Sequence, residues 1–372
     1  MDRIVVVGGG VLGTMHAAQA RRLGHEVVHL EREAGARGAS VRNFGLIWVS
    51  GRAAGPELSL ALRARARWEE LAAGVPAAGF RPHGSLTLAA TEPELALLKE
   101  AAALPDAEDR GYELLDAAAA RLLNPALRGR YAGALHCRRD AIVEPREVPR
   151  AIREHLLATA GRPAAYTWLP GREAVEVAPN SVRDHTGVWH RGDLVVLCTG
   201  AAHTGVAGPH LAACEQMPVR RVRLQMMQTA PYPDRLTTSV ADGDSLRYYP
   251  AYALPGRDRL PPQEPAGAAF GAQLLLVQRL DGSLTIGDTH AYREPFAFDL
   301  DEAAYDHLRG RAELLLGSPL PPTVRRWAGV YSQVTTDELY HRSQVAPGVV
   351  LVTGPGGRGM TCAPAIAEET FT

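Results

Sequence analysis

An α/β fold, α+β over the whole chain, is what the sequence predicts, on three observations. A β-branched run at the start leads at once into three spaced glycines, a helical stretch and a second apolar run. An apolar run and a glycine-rich turn recur near residue 353. The 372 residues exceed one ordinary compact domain and fit two.

Arg3 to Val7 reads as a buried parallel strand, because both of its faces are apolar. Gly8, Gly10 and Gly13 follow in a G-x-G-x-x-G pattern. Val11 to Leu23 has helical character, Gly24 ends it, and Glu26 to Leu30 reads as the next strand. Glu31 stands at the end of that strand, eighteen positions after Gly13. The glycines let the backbone turn tightly and approach a pyrophosphate. The helix start at Gly10, Val11 and Leu12 offers it N–H groups and a positive dipole end. An acid closing the second strand accepts from ribose hydroxyls. The order of the parts, more than the glycines alone, identifies a Rossmann-type dinucleotide site.

His25-Glu26-Val27-Val28-His29 matches a zinc-protease pattern that works only on a helix. Here the segment reads as a strand, which sets the two imidazoles about 13 Å apart. Cys137, Cys198, Cys214 and Cys362 are widely spaced, so no metal site and no disulfide framework is expected. The formal net charge of −1 steers the protein to neither nucleic acid nor an anionic membrane. No apolar run is long enough to span a bilayer. The chain opens directly on a strand without a basic leader, and a cytoplasmic location is expected. Lys99 is the only lysine among 40 basic residues, so an anionic substrate would be held by arginine forks.

The glycine fingerprint alone leaves FAD and NAD open. Three further segments favour FAD: Ala39 to Leu46, the strand Asp193 to Thr199 closed by Gly200, and Leu351 to Thr361 with a helix expected to start near Pro364. With these residues the chain resembles, over essentially its whole length, the glycine oxidase, sarcosine oxidase and D-amino-acid oxidase superfamily of FAD-dependent amine oxidoreductases. The resemblance implies that Glu31 and Arg32 meet the adenosine. It implies that Ser40, Arg42, Asn43, Phe44, Gly45 and Leu46 pass the pyrophosphate and flavin. Val175, Thr199 and Gly200 join them, and Gly356, Gly357, Arg358, Gly359, Met360 and Thr361 form a flavin loop. Arg279 to Gly287 is similar to a strand pair bordering the substrate pocket. Arg42 to Gly45, Ile286 to His290 and Trp327 to Ser332 carry a resemblance to a branch associated with 2-aminoethylphosphonate catabolism.

The family architecture implies an FAD-binding domain in three parts, residues 1–80, 143–215 and 326–372. The mainly antiparallel-sheet substrate domain would take 81–142 and 216–325. Local signals fit: a strand pattern from Phe80 to Ala89, a helix from Pro93 to Ala103, and a helix beginning at Glu144. Residues 254–268 read as a surface loop, and Glu302 to Leu316 as an amphipathic helix.

The implied reaction is hydride transfer from the α C–H of a neutral amine to flavin N5, followed by imine hydrolysis and reoxidation by oxygen. Family members carry an arginine after an Ala-Gly step; here Ala328-Gly329-Val330 leads to Tyr331. None of the cysteines lies there, so noncovalent FAD is expected, and Lys99 lies in an expected surface helix, away from the flavin. The substrate-binding candidates are Arg42, Arg223, Arg247, Gln278, Arg279, His290 and Tyr331. The partner expected is a small, anionic amine. Oxidation of glycine, sarcosine or a phosphorylated alcohol, and a non-catalytic flavin-binding role, are the alternatives.

Overall fold

The computed structural model describes residues 1–161 and 165–372. Its first large sheet runs in the order His341–Ala346, Val349–Thr353, Leu194–Leu197, Arg3–Val7, Glu26–Glu31, Tyr166–Pro170. Every neighbouring pair is parallel except the hairpin of the first two. Ile4, Val6, Val27 and Val196 face the helices Val11–Arg22, Val148–Ala158 and Gly359–Thr370, packing with Met15, Ile152 and Ile366. Val5, Val7, Val28 and Val195 face the other way, against Val182 of a small antiparallel sheet, Ala174–Ala178, Ser181–Asp184 and Trp189–Arg191. Burial on both faces is why Ile4 to Val7 and Leu194–Leu197 are apolar at every position.

The second large sheet is ordered Thr323–Val334, Val219–Pro231, Ser283–Gly287, Leu275–Gln278, Ser239–Ala241, Ser85–Ala89, Gly133–Cys137, Tyr112–Asp116. It is antiparallel except where Ser239–Ala241 meets Ser85–Ala89. Helix Glu302–Leu316 closes one side through Tyr305, Leu308, Ala312 and Leu315 against Met227, Leu276 and Ile286. Met226, Leu275 and Val277 turn the opposite way, toward Phe44, Trp48 and Tyr249. That alternation, one residue out of phase with the helix-covered set, brings this sheet onto the loop that follows the nucleotide fold. Thr323–Val334 lies in this sheet along its whole length, across residue 326.

Three local expectations need correction. The C-terminal helix starts at Gly359 and carries Pro364 inside it. Proline lacks an N–H, so the Met360 carbonyl loses its helical donor. The buried indole of Trp68 supplies one, donating to Met360 O at 3.0 Å and reaching Thr361 O at 3.1 Å. The stretch 254–268 holds a helical turn at Pro255–Arg259 and the start of Pro265–Phe270. The helix expected from Glu144 begins at Val148. Among the described residues no helix is long and apolar enough to cross a membrane.

Candidate active site

The two large sheets enclose a cavity of about 990 Å³, and both contribute to its wall. Small-molecule sites typically measure roughly 300–1,000 Å³, so this one suits a dinucleotide-sized ligand. One end is made of backbone. Gly8 has φ +107°, and a Cβ there would stand 2.2 Å from Cys198 O. A Cβ on Gly13 would stand 1.8 Å from Gly8 O, so the helix packs on the turn only because that position is bare. Gly10 precedes the helix in an extended conformation, and Val11 N donates to Ser40 Oγ at 2.8 Å.

Glu31 accepts from Gly9 N at 2.6 Å and from Glu33 N at 3.0 Å, one bond on each carboxylate oxygen. Each oxygen keeps a second lone pair for a ribose hydroxyl. Behind this loop, burial pushes His29 down to about 4, leaving a neutral ring. Its Nε2–H donates to Gly8 O and its Nδ1 accepts from Tyr166 Oη, both at 3.0 Å. The cradle therefore fits a pyrophosphate by the space its glycines leave and a ribose by the open lone pairs of Glu31.

The middle of the cavity is formed by two loops tied to each other. Asn43 donates to Ala39 O at 2.8 Å and accepts from Gly45 N at 2.6 Å, folding its loop on itself. Gly45 has φ +71°, and a Cβ would meet Val143 O at 2.2 Å. From the other loop, Thr361 Oγ1 accepts from Trp48 N at 2.9 Å. Gly356, Gly357, Gly359 and Met360 line the wall where the twelve-residue C-terminal helix begins, an arrangement that favours a negative charge near a bound ring. Arg358 donates to Glu57 Oε1 at 2.9 Å, and Arg52 approaches the same oxygen at 3.5 Å.

The far end is made of side chains. Tyr248 stacks on His290 with centroids 4.4 Å apart and meets Tyr249 edge-on at 5.0 Å. Its hydroxyl lies 3.5 Å from that of Tyr331. Asp288 is buried beside them, with Gln273 Nε2 donating to Oδ1 at 3.3 Å and His290 Nε2 lying 3.9 Å from Oδ2. Burial pushes the Asp288 carboxyl above its usual range, while His290 and the Gln273 hydrogen bond oppose that shift. His290 Nδ1 lies 3.0 Å from Gly271 O; since a carbonyl only accepts, Nδ1 carries the proton in the neutral ring.

Of the expected substrate residues, Arg42, Arg247, His290 and Tyr331 line the cavity. Three do not, because their donors are spent elsewhere. Arg223 reaches Asp299 O at 2.6 Å, outside the wall. Gln278 ties down the segment that precedes strand Ser239–Ala241, accepting from Leu236 N at 2.9 Å and donating to Asp234 O at 2.9 Å. Arg279 lies behind the flavin-side loop and donates to Phe44 O and Val143 O.

Of the expected cofactor residues, Gly8, Gly10, Val11, Leu12, Glu31, Arg32, Ser40, Asn43, Phe44, Leu46, Thr199, Gly200 and Arg358 line the cavity, with the glycines and Met360 of the second loop. Gly13, Gly45 and Thr361 stand behind the wall and shape it. Val175 is 45% exposed, whereas its strand neighbour Ala174 faces the cavity. His25 to His29 lies largely within the strand Glu26–Glu31, so its two imidazoles cannot share an ion. Lys99 is exposed on helix Glu92–Ala102. Sequence reading missed Trp48, Arg52, Glu57, Gln273 and Asp288. Asp288 lies within Ile286 to His290, but its burial is not visible from its neighbours, and nothing local distinguishes Arg52.

The family model described as "DAO: FAD dependent oxidoreductase" matches residues 3–371. No curated protein matches the chain in sequence. Glycine oxidase from Geobacillus kaustophilus superposes with a TM-score of 0.76 at 20% identity, over 100% of this chain and 94% of that one. Iminodiacetate oxidase from Chelativorans sp. BNC1 gives 0.75 at 17% identity, over 98% and 93%. L-alpha-glycerophosphate oxidase from Mycoplasma pneumoniae, with FAD bound, gives 0.72 at 16% identity, over 100% and 94%. These likenesses establish a shared fold.

Proposed function

We propose, for a chain that belongs to the DAO family of FAD-dependent oxidoreductases, that it oxidises a small anionic amine of the 2-aminoethylphosphonate type. The observation that carries this reading is the far end of the cavity. There a buried carboxylate, Asp288, stands among tyrosine hydroxyls in a wall that also holds arginines. The fold neighbours glycine oxidase and iminodiacetate oxidase are named for small amines that bear carboxylates, which agrees with that chemistry.

Bound FAD supplies the hydride acceptor. The cavity residues do the rest. Asp288 draws the substrate ammonium to the end of the pocket and accepts its proton on a carboxylate oxygen, leaving the neutral amine whose C–H bond can give up hydride. The stacked rings of Tyr248 and His290, with Tyr331 close by, orient the α-carbon and exclude water around it. The imine would be hydrolysed by water, and the two electrons received by bound FAD would pass to oxygen.

In this reading FAD is held without a covalent bond by residues 1–80, 143–215 and 326–372. Residues 81–142 and 216–325 frame the substrate, and the enzyme works in the cytoplasm on a diffusible amine. The test is anaerobic reduction of the oxidised-flavin band, expected near about 450 nm, by 2-aminoethylphosphonate, its N-methyl form, sarcosine, glycine, D-alanine and glycerol 3-phosphate. Bleaching by the phosphonates alone is the expected result. Bleaching by amino acids alone moves the substrate class, and bleaching only by glycerol 3-phosphate overturns amine oxidation.

A further inference from the structure

We propose that Arg52 determines specificity by receiving the anionic group of the substrate, at the opposite end of one aromatic wall from Asp288. This rests on the amine-oxidation reading and deepens it.

The first support is the balance of charge. Around the far half of the cavity, Arg42 donates to Ala328 O, Arg221 pairs with Glu294, and Arg247 pairs with Asp244 at 3.2 Å. Arg52 differs from them in burial: its side chain is 5% exposed, against 24% for Arg247 and 42% for Arg221. The carboxylate beside it, Glu57, lies 3.5 Å from Arg52 and 2.9 Å from Arg358. Two guanidiniums thus share one carboxylate, Arg52 being the more buried of the two, so the group carries one surplus positive charge. An unbalanced buried charge is costly, and an arriving anion removes that cost. Arg52 is also pre-aimed. Its Nε donates to Trp48 O at 2.8 Å, which fixes the plane of the fork, and the residue lines the cavity.

The second support is geometric. From Arg52 the wall passes to Trp48, whose ring lies 5.8 Å from that of Tyr249. It continues through Tyr248 to His290, which adjoins Asp288. A cation and a carboxylate stand at the two ends of one run of rings, complementary to a molecule with an ammonium at one end and an anion at the other. Burial raises both tyrosine phenols; beyond that, Asp288 pushes each up and Arg52 pulls each down, as groups placed between the two would respond.

The experiment compares FAD-loaded wild type, Arg52→Gln and Arg52→Lys. Methylphosphonate and acetate binding is read from perturbation of the flavin spectrum. KM and kcat are measured for 2-aminoethylphosphonate and for propylamine, which lacks the anion. Sulfite affinity reports the electrophilicity of the cofactor. Losing a charge-assisted hydrogen bond should weaken methylphosphonate binding about 10- to 100-fold in Arg52→Gln and raise KM for 2-aminoethylphosphonate in step. Propylamine kinetics and sulfite affinity should hold. Methylphosphonate affinity within about twofold of wild type overturns the proposal, as does an equal loss on propylamine accompanied by weaker sulfite binding, which would assign Arg52 to the cofactor. If Arg52→Gln fails to hold FAD, Arg52→Lys carries the test: it keeps the charge without the fork, and about tenfold weaker methylphosphonate binding is expected, unchanged binding being fatal. Arg52-dependent anion binding in a protein that no amine reduces would sink the oxidation reading alone.

Discussion

The two ends of the cavity are built by opposite means. At the nucleotide end the contacts are backbone: Gly8, Gly10, Gly13 and the helix start, with Glu31 as the one charged side chain tied into the loop. These parts, from Gly8 to Glu31, come from one short stretch of chain. At the substrate end the contacts are side chains from separated segments, with Trp48 and Arg52, Tyr248 and Tyr249, Gln273, Asp288 and Tyr331 meeting only in three dimensions. A backbone cradle needs glycine and admits almost no substitution, whereas a side-chain wall can be altered one residue at a time.

The strongest way to break the comparison is at Gly13. A methyl group there would stand 1.8 Å from Gly8 O, backbone against backbone. Gly13→Ala should cost about 1–3 kcal/mol or more from overpacking and strip most flavin from the purified protein. Full flavin content in that variant would mean that the cradle tolerates side chains after all.

Next comes Asp288. Asp288→Asn should lower kcat/KM about 10²- to 10⁴-fold, the usual worth of a positioned base, with FAD content unchanged. The pH profile checks the sign. Because burial raises the Asp288 carboxyl, wild-type activity should fall as pH drops through that raised value, and the variant should lose this limb. The same shift favours the fold in acid and costs stability as pH rises through it, so Asp288→Asn should raise the thermal midpoint of the protein at neutral pH. A lower midpoint would show that the carboxylate is held by more than His290 and Gln273.

Arg279 sharpens the comparison with the smallest expected effect on catalysis. It is buried behind the loop, near Glu144 at 3.7 Å, and satisfies two carbonyls. Arg279→Met should cost about 1–3 kcal/mol of stability by denaturant titration, through carbonyls left without donors. KM for 2-aminoethylphosphonate should stay within about twofold, because Arg279 supports the loop from behind and does not line the cavity. A large rise in KM would return Arg279 to the substrate pocket.

Much of the nucleotide half was legible because its requirements are local. The continuous apolar run Ile4 to Val7 announces a strand buried on both faces, and Glu31 at the end of the second strand completes the spacing. Where local reading failed, a distant partner had changed the outcome. Pro364 lies inside a helix because Trp68, almost three hundred residues earlier, replaces the missing donor. Arg279 is expected at the substrate because Arg279 to Gly287 resembles a strand pair bordering the pocket, yet its fork closes on Phe44 O and Val143 O.

What the sequence determined by itself is therefore the nucleotide fold, the FAD-family loops and the strands that carry them, since backbone conformation and strand periodicity are written in glycines and apolar spacing. Which arginine faces the cavity, which carboxylate is buried there, and which hydroxyls surround it were decided only by the tertiary structure. A side chain's charge is visible in sequence, but its burial, its partners and the charge left unbalanced around it depend on residues hundreds of positions away.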